Sequence, residues 1–212
     1  MEQNIPSVKV CLLGNSGVGK TCIIHRFIKN EFKENSISTR GADYAQKKVE
    51  TKNQAINLDI WDTAGQEQYR SLGIHFYKEA YIVILVYDIT NEESFEDLKN
   101  VWYNDLKKNG EKYTVLAIVG NKSDMFEVEK ISEEKGRKFA EEVKAVFMLV
   151  SAKNGNNIEN LFKIVASKYL DPLFQDKFEG STKKNDGNSI KIKKHTKEEE
   201  QKIVKSRKKG CC

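Results

Sequence analysis

Two periods alternate along this chain. Residues 8–13, 82–87, 115–119 and 146–150 are short, nearly all-apolar runs rich in β-branched side chains. That is the pattern of strands buried on both faces of a parallel sheet. Ile56, Leu58 and Ile60 alternate with polar neighbours and predict a half-covered strand. The polar stretch 42–51, with Lys47 and Lys48, predicts its edge partner across a turn near Lys52 and Asn53. Between these runs the spacing becomes helical. Phe95, Leu98, Trp102 and Leu106 form one stripe, opened by the capping-box pattern Thr90-x-x-Glu93, and Ile158, Leu161, Phe162, Val165 and Tyr169 form another. Ser132 is a candidate N-cap for a weaker helix reaching to about Glu142. The alternation predicts an α/β fold with an open sheet, mainly parallel, with one antiparallel edge strand. Ligands of such sheets bind beyond the carboxyl ends of the strands.

Pro6 precedes the first strand pattern and Pro172 follows the last helical one, which sets an expected domain over residues 1–170 and a tail over 171–212. From Asp171 the pattern collapses into polar segments that bury too little to offset their ordering entropy, so residues 171–209 are expected to form a flexible tether. Charge separates at the same place. Residues 1–170 carry 24 basic and 24 acidic side chains, so the net charge of +5 belongs wholly to the tail. A body without net positive charge gives no sign of nucleic-acid binding. The longest apolar run, residues 80–87, is eight residues, against the ~20 a membrane-spanning helix needs. The first residues, Met-Glu-Gln-Asn-Ile-Pro, have neither the basic start nor the apolar stretch of a secretory signal. Cys11 and Cys22 lie in apolar or helical patterns and Cys211 and Cys212 end the chain. That is no disulfide framework, and it fits a reducing compartment.

Chemistry gathers at the strand ends. After the first strand comes Gly14-Asn-Ser-Gly-Val-Gly-Lys-Thr21, which satisfies G-x-x-x-x-G-K-[ST]. Its glycines let the backbone curl so that the N–H groups of Ser16, Gly17, Val18, Gly19, Lys20, Thr21 and Cys22 can face phosphate oxygens. Lys20 is placed for the β- and γ-phosphates and the Thr21 hydroxyl for Mg²⁺. After the third strand, Asp62-Thr-Ala-Gly65-Gln66-Glu67 supplies a carboxylate for the Mg²⁺ shell and a Gly65 N–H for the γ-phosphate. Asn121-Lys122-Ser123-Asp124 follows the fifth strand and Ser151-Ala152-Lys153 the sixth. One carboxylate accepts from both the ring N–H and the exocyclic amine of guanine, a donor pair that adenine lacks, so Asp124 is the guanine-reading candidate. Asn121 and Lys122 would brace the pocket, Lys122 against the base plane, and the Ala152 N–H could donate to the guanine oxygen.

These four segments, in this order and spacing, resemble a Ras-superfamily small GTPase over about residues 7–169. Gly14 to Thr21, Trp61 to Glu67, Gln68-Tyr-Arg-Ser-Leu72, Phe76-Tyr-Lys-Glu-Ala80 and the terminal Cys211-Cys212 are most similar to the Rab family. The resemblance implies the P-loop small-GTPase fold, with six strands and helices on both faces, binding GTP or GDP with Mg²⁺. It makes Thr39 a Mg²⁺ ligand and γ-phosphate sensor, Phe32 the aromatic on the base, and Gln66 the residue that orients the attacking water. Tyr44, Trp61 and Phe76 become an effector-reading aromatic triad, although packing alone would account for them by periodicity. Cys211 and Cys212 become prenylation sites, where Ras and Rho relatives carry a C-a-a-X box. Arg40 stands where Rab proteins usually have Ile or Val, and Tyr44 where they have Phe, so the effector surface departs from the pattern.

The implied behaviour is a GTP/GDP switch in vesicle-mediated membrane trafficking, with slow intrinsic hydrolysis stimulated by an activating protein. Exchange factors, effectors and a dissociation inhibitor are the implied partners, a monomer is the expected state, and the cytoplasmic face of an intracellular membrane is the expected place. A nucleotide-locked scaffold and a P-loop kinase or ATPase are the competing classes. Retention of Gln66 and Thr39 argues against the first and Asp124 against the second. The run Lys205-Ser-Arg-Lys-Lys209 is compatible with a solvated end or a nuclear-localisation patch, but beside a cysteine pair it suits an anionic membrane surface. His25, His75 and His195 show no metal-ligand spacing.

Overall fold

The computed structural model describes residues 5–32, 42–52, 54–63, 77–111 and 114–175. The strands are β1 (Ser7–Leu13), β2 (Ala42–Glu50), β3 (Ala55–Thr63), β4 (Ile82–Asp88), β5 (Val115–Asn121) and β6 (Val146–Leu149). They form one sheet in the order β2-β3-β1-β4-β5-β6, parallel throughout except that β2 runs antiparallel to β3. The expected mainly parallel α/β sheet with one antiparallel edge is therefore present.

β4 shows why such runs are apolar at every position. With β1 on one side, β5 on the other and helices above and below, all seven of its residues are buried. β3 behaves as its alternation predicts: Ile56, Leu58 and Ile60 are fully buried, while Asn57, Asp59 and Trp61 are half-buried. β6 departs from the expectation of two buried faces. It is the outer strand beyond β5, and all four of its residues are only half-buried.

The helices are α1 (Lys20–Lys29), α2 (Glu92–Asp97), α3 (Asn104–Asn109), α4 (Glu133–Glu142) and α5 (Ile158–Tyr169), with a π-helical segment Leu98–Tyr103 joining α2 to α3. One core cluster lies under α1 and α5, where Phe27 stacks on Phe162 at 3.8 Å between ring centroids. The other lies under α2 to α4, where Phe95 meets Tyr87 edge to face at 4.8 Å. The stripe Phe95, Leu98, Trp102 and Leu106 is buried as its spacing predicts.

The start of α2 is a correction. Thr90 is not its cap: the Thr90 hydroxyl instead donates to Asp88 Oδ1 at 2.8 Å. Asn91 takes the N-cap position in extended backbone, and its side-chain oxygen accepts from the Ser94 N–H at 3.1 Å. Ser132 caps α4 as expected, accepting from the Lys135 N–H at 3.3 Å. Residues 172–175 add a helical turn past the expected boundary at 170, with the Asp171 carbonyl accepting from the N–H groups of Phe174 and Gln175 at 2.9 and 3.0 Å. Phe174 packs on the α1–α5 cluster. Residues 176–212 lie outside the described residues.

Candidate functional site

The loop after β1 is shaped by glycine. Gly14 and Gly19 adopt φ of +145° and +95°, in the left-handed region that side chains resist. Contact reinforces the need at both. A Cβ at Gly14 would lie 2.2 Å from the Val86 carbonyl oxygen of β4, and one at Gly19 would lie 2.3 Å from Asn121 Nδ2 at the end of β5. The loop is thus seated on β4 and β5 before α1 begins at Lys20.

Lys20 is 5% exposed, and its ammonium donates to the Gly14 and Asn15 carbonyls at 2.7 and 2.9 Å. Burial draws its pKa down to about 8, opposed in part by the Asp62 carboxylate. A desolvated ammonium solvated chiefly by neutral carbonyls gains from an incoming anion, which is the chemistry a phosphate supplies. The Thr21 hydroxyl donates to Asp62 Oδ2 at 2.6 Å, joining the first turn of α1 to the end of β3. The β1–β3 register brings this about by setting Leu12 opposite Asp62. Two hard oxygen donors beside a phosphate loop suit Mg²⁺, which takes one or two protein oxygens and completes its octahedron with phosphate and water. Among the described residues no group of three or more His, Cys, Asp or Glu is placed to hold a metal by itself. The pair of one hydroxyl and one carboxylate fits a cation whose shell is completed by phosphate and water.

The second half of the site hangs on Asn121, which is 2% exposed. Its Nδ2 donates to the Val18 carbonyl at 2.8 Å, and its Oδ1 accepts from the Ala152 N–H at 3.2 Å. One side chain thus ties the phosphate loop to the loop after β6. The Ala152 N–H, expected to donate to a guanine oxygen, carries this long bond and would share it with a base. Lys122 sits in left-handed backbone at φ +67° and pairs with Asp88 Oδ2 at 2.6 Å. The Ser151 hydroxyl donates to Asp124 Oδ1, so the carboxylate expected to read guanine is held by the neighbouring loop.

The remaining candidates divide clearly. Ser16, Gly17 and Lys153 are exposed, Val18 is buried, and Cys22 and Phe32 are half-buried, Phe32 against the core. Tyr44 and Trp61 face each other across β2 and β3, edge to face at 5.4 Å. The Tyr44 hydroxyl, the departure from the Rab pattern, donates to Asp59 Oδ1 at 2.9 Å. Thr39, Arg40, Gly65, Gln66, Phe76, Cys211 and Cys212 lie outside the described residues.

Two supports escaped the motif reading. Asp88 ends β4 opposite Asn121 and holds Lys122; the rule that ligands meet strand ends pointed there. Asn15 donates through Nδ2 to Asp97 at 2.6 Å and accepts from Trp102 Nε1 at 2.7 Å, pinning the phosphate loop to α2 and the π segment. No periodicity reveals that link, because Trp102 already reads as a core position.

Comparison with known proteins agrees with this geometry. The Ras family model matches residues 9–171. Ras-related protein Rab-22A of Homo sapiens is 43% identical over 155 residues, covering 73% of this chain and 79% of that protein. Rab-31 of Mus musculus is 40% identical over 169 residues, covering 80% and 86%. Rab-8A of Bos taurus is 38% identical over 184 residues, covering 87% and 88%.

Proposed function

The chain belongs to the Rab GTPases of the Ras family, and from that premise we propose a GTP/GDP switch on an intracellular membrane, regulating vesicle traffic. The observation that carries the nucleotide reading is the pair of hydrogen bonds that the Asn121 side chain makes, donating to the Val18 carbonyl and accepting from the Ala152 N–H. It joins a cationic phosphate cradle to a carboxylate-bearing loop, the two ends that one purine nucleotide would occupy.

The roles follow from the groups available. The loop N–H donors and Lys20 hold the β- and γ-phosphates. Thr21, Asp62 and Thr39 would hold Mg²⁺, which when bound would supply positive charge against the phosphate oxygens. Asp124 reads guanine, Asn121 and Lys122 brace it, and Phe32, Ser151, Ala152 and Lys153 complete the base pocket. Gln66 orients water in line with the γ-phosphorus. Thr39 and the Gly65 N–H tie two loops to the γ-phosphate, and its loss releases them. Tyr44, Trp61 and Phe76 offer that change to effectors. Hydrolysis is slow alone and is accelerated by groups lent by an activating protein. In Ras, the standard example of this chemistry, the acceleration is about 10⁵-fold.

Single-turnover hydrolysis tests the mechanism. Gln66→Leu is expected to lower the rate with and without an activating protein while leaving GTP binding intact. An undiminished rate would remove Gln66 from its role.

A further inference from the structure

Arg26 lies outside every recognised motif, on α1, one turn before its left-handed C-cap Asn30. Its side chain makes more long-range contacts than a helix surface requires. Nε donates to the Ala152 carbonyl at 2.9 Å and Nη2 to the Lys153 carbonyl at 2.6 Å, across more than 120 residues of sequence. Nη1 donates to the Asn30 carbonyl at 2.9 Å and to Asn30 Oδ1 at 3.2 Å. The planar guanidinium thus uses its fixed fork to bind two successive carbonyls of one loop and the end of its own helix.

The consequence runs through one peptide unit. In a trans peptide the N–H points opposite the C=O. With the Lys153 carbonyl turned to Arg26, the Asn154 N–H of that unit faces the other way and donates to Ser151 Oγ at 3.2 Å. The Ser151 hydroxyl in turn donates to Asp124 Oδ1. A continuous chain therefore runs from Arg26 through the Lys153–Asn154 peptide and Ser151 to the carboxylate. Successive hydrogen bonds polarise and orient one another.

We infer that Arg26 is a positioning residue for base recognition: it sets the loop after β6, and through it Asp124, in the orientation that distinguishes guanine from bases lacking its exocyclic amine. This rests on the proposed reading of Asp124. Lysine reproduces the role only in part, because a single ammonium does not span two carbonyls in fixed geometry.

The test is competition of GDP and inosine diphosphate, which lacks the exocyclic amine, against a fluorescent GDP on the full chain with Mg²⁺. Wild-type protein, Arg26→Gln and Arg26→Lys are compared, each with its thermal midpoint. Wild type is expected to prefer GDP clearly. Arg26→Gln should lose about tenfold of that preference, as expected for a misdirected hydrogen bond to a charged group. Arg26→Lys should fall between. If the variants lower the thermal midpoint or weaken both nucleotides equally with the ratio unchanged, Arg26 is only a structural brace and the inference is overturned. If wild type itself shows no preference, the reading of Asp124 fails instead. If Arg26→Gln does not fold, the Arg26→Lys ratio decides alone.

Discussion

Lys20 owes its lowered basicity to its surroundings. An exposed lysine is protonated far above neutral pH, but here burial brings the ammonium down to about 8 before any ligand arrives. A bound phosphate favours the protonated form and keeps it charged to higher pH. Nucleotide affinity is therefore full below pH 8 and declines as pH rises through 8, because the free protein then loses the proton that the complex retains. The limiting slope is about tenfold per pH unit. GDP titrations from pH 7 to 9 check this, and a flat profile would contradict it. Cys11 moves the opposite way: complete burial pushes its thiol up to about 12, so it is an inert core residue, as its apolar setting in β1 suggests.

At the scale of elements, fit decides where propensity would mislead. Gly136 lies inside α4, where Ala would ordinarily stabilise by up to about 1 kcal/mol. Here a Cβ would lie 2.4 Å from the Tyr87 hydroxyl and 2.6 Å from the Phe147 ring. Gly136→Ala is expected to destabilise by about 1–3 kcal/mol in urea denaturation with GDP bound. A stabilised variant would show that α4 has room to move off the sheet. The same contrast explains which elements were legible in the sequence. β4 and β5 announce themselves because burial on both faces demands apolar residues throughout, and α5 because its stripe repeats with the helical period. β6 reads like them, yet its half-burial follows from having a partner strand on one side only, which composition does not encode. The cap of α2 fell one residue after Thr90 because Asp88, at the end of the preceding strand, claims the Thr90 hydroxyl. The four motifs lie at strand ends and were readable there. Arg26 and Asn15 were not, since their partners depend on how distant loops approach one another.

The whole molecule divides its tasks by charge. Residues 1–170 are electrically balanced, and the surplus sits in the polar segment that ends in Cys211-Cys212. Among the described residues no helix is long and apolar enough to cross a membrane. We propose that attachment comes from the tail, whose basic run lies beside the terminal cysteine pair. One lipid chain binds marginally and two bind stably, with each nearby Lys or Arg adding about 1 kcal/mol at an anionic leaflet. Prenylated protein is expected to partition with membranes and the double variant Cys211→Ser, Cys212→Ser to remain in the supernatant on fractionation. A double variant that still sediments would remove the anchor.

The convergence of phosphate loop, Asp62 and the two base loops on one ligand is tested most directly by equilibrium binding to the nucleotide-free protein. GTP should bind tightly with Mg²⁺ and much more weakly in EDTA, and ATP should be rejected by roughly 10⁴-fold, as expected of a site built to pair with a donor its competitor lacks. Equal affinity for ATP, or GTP binding indifferent to Mg²⁺, would contradict the account.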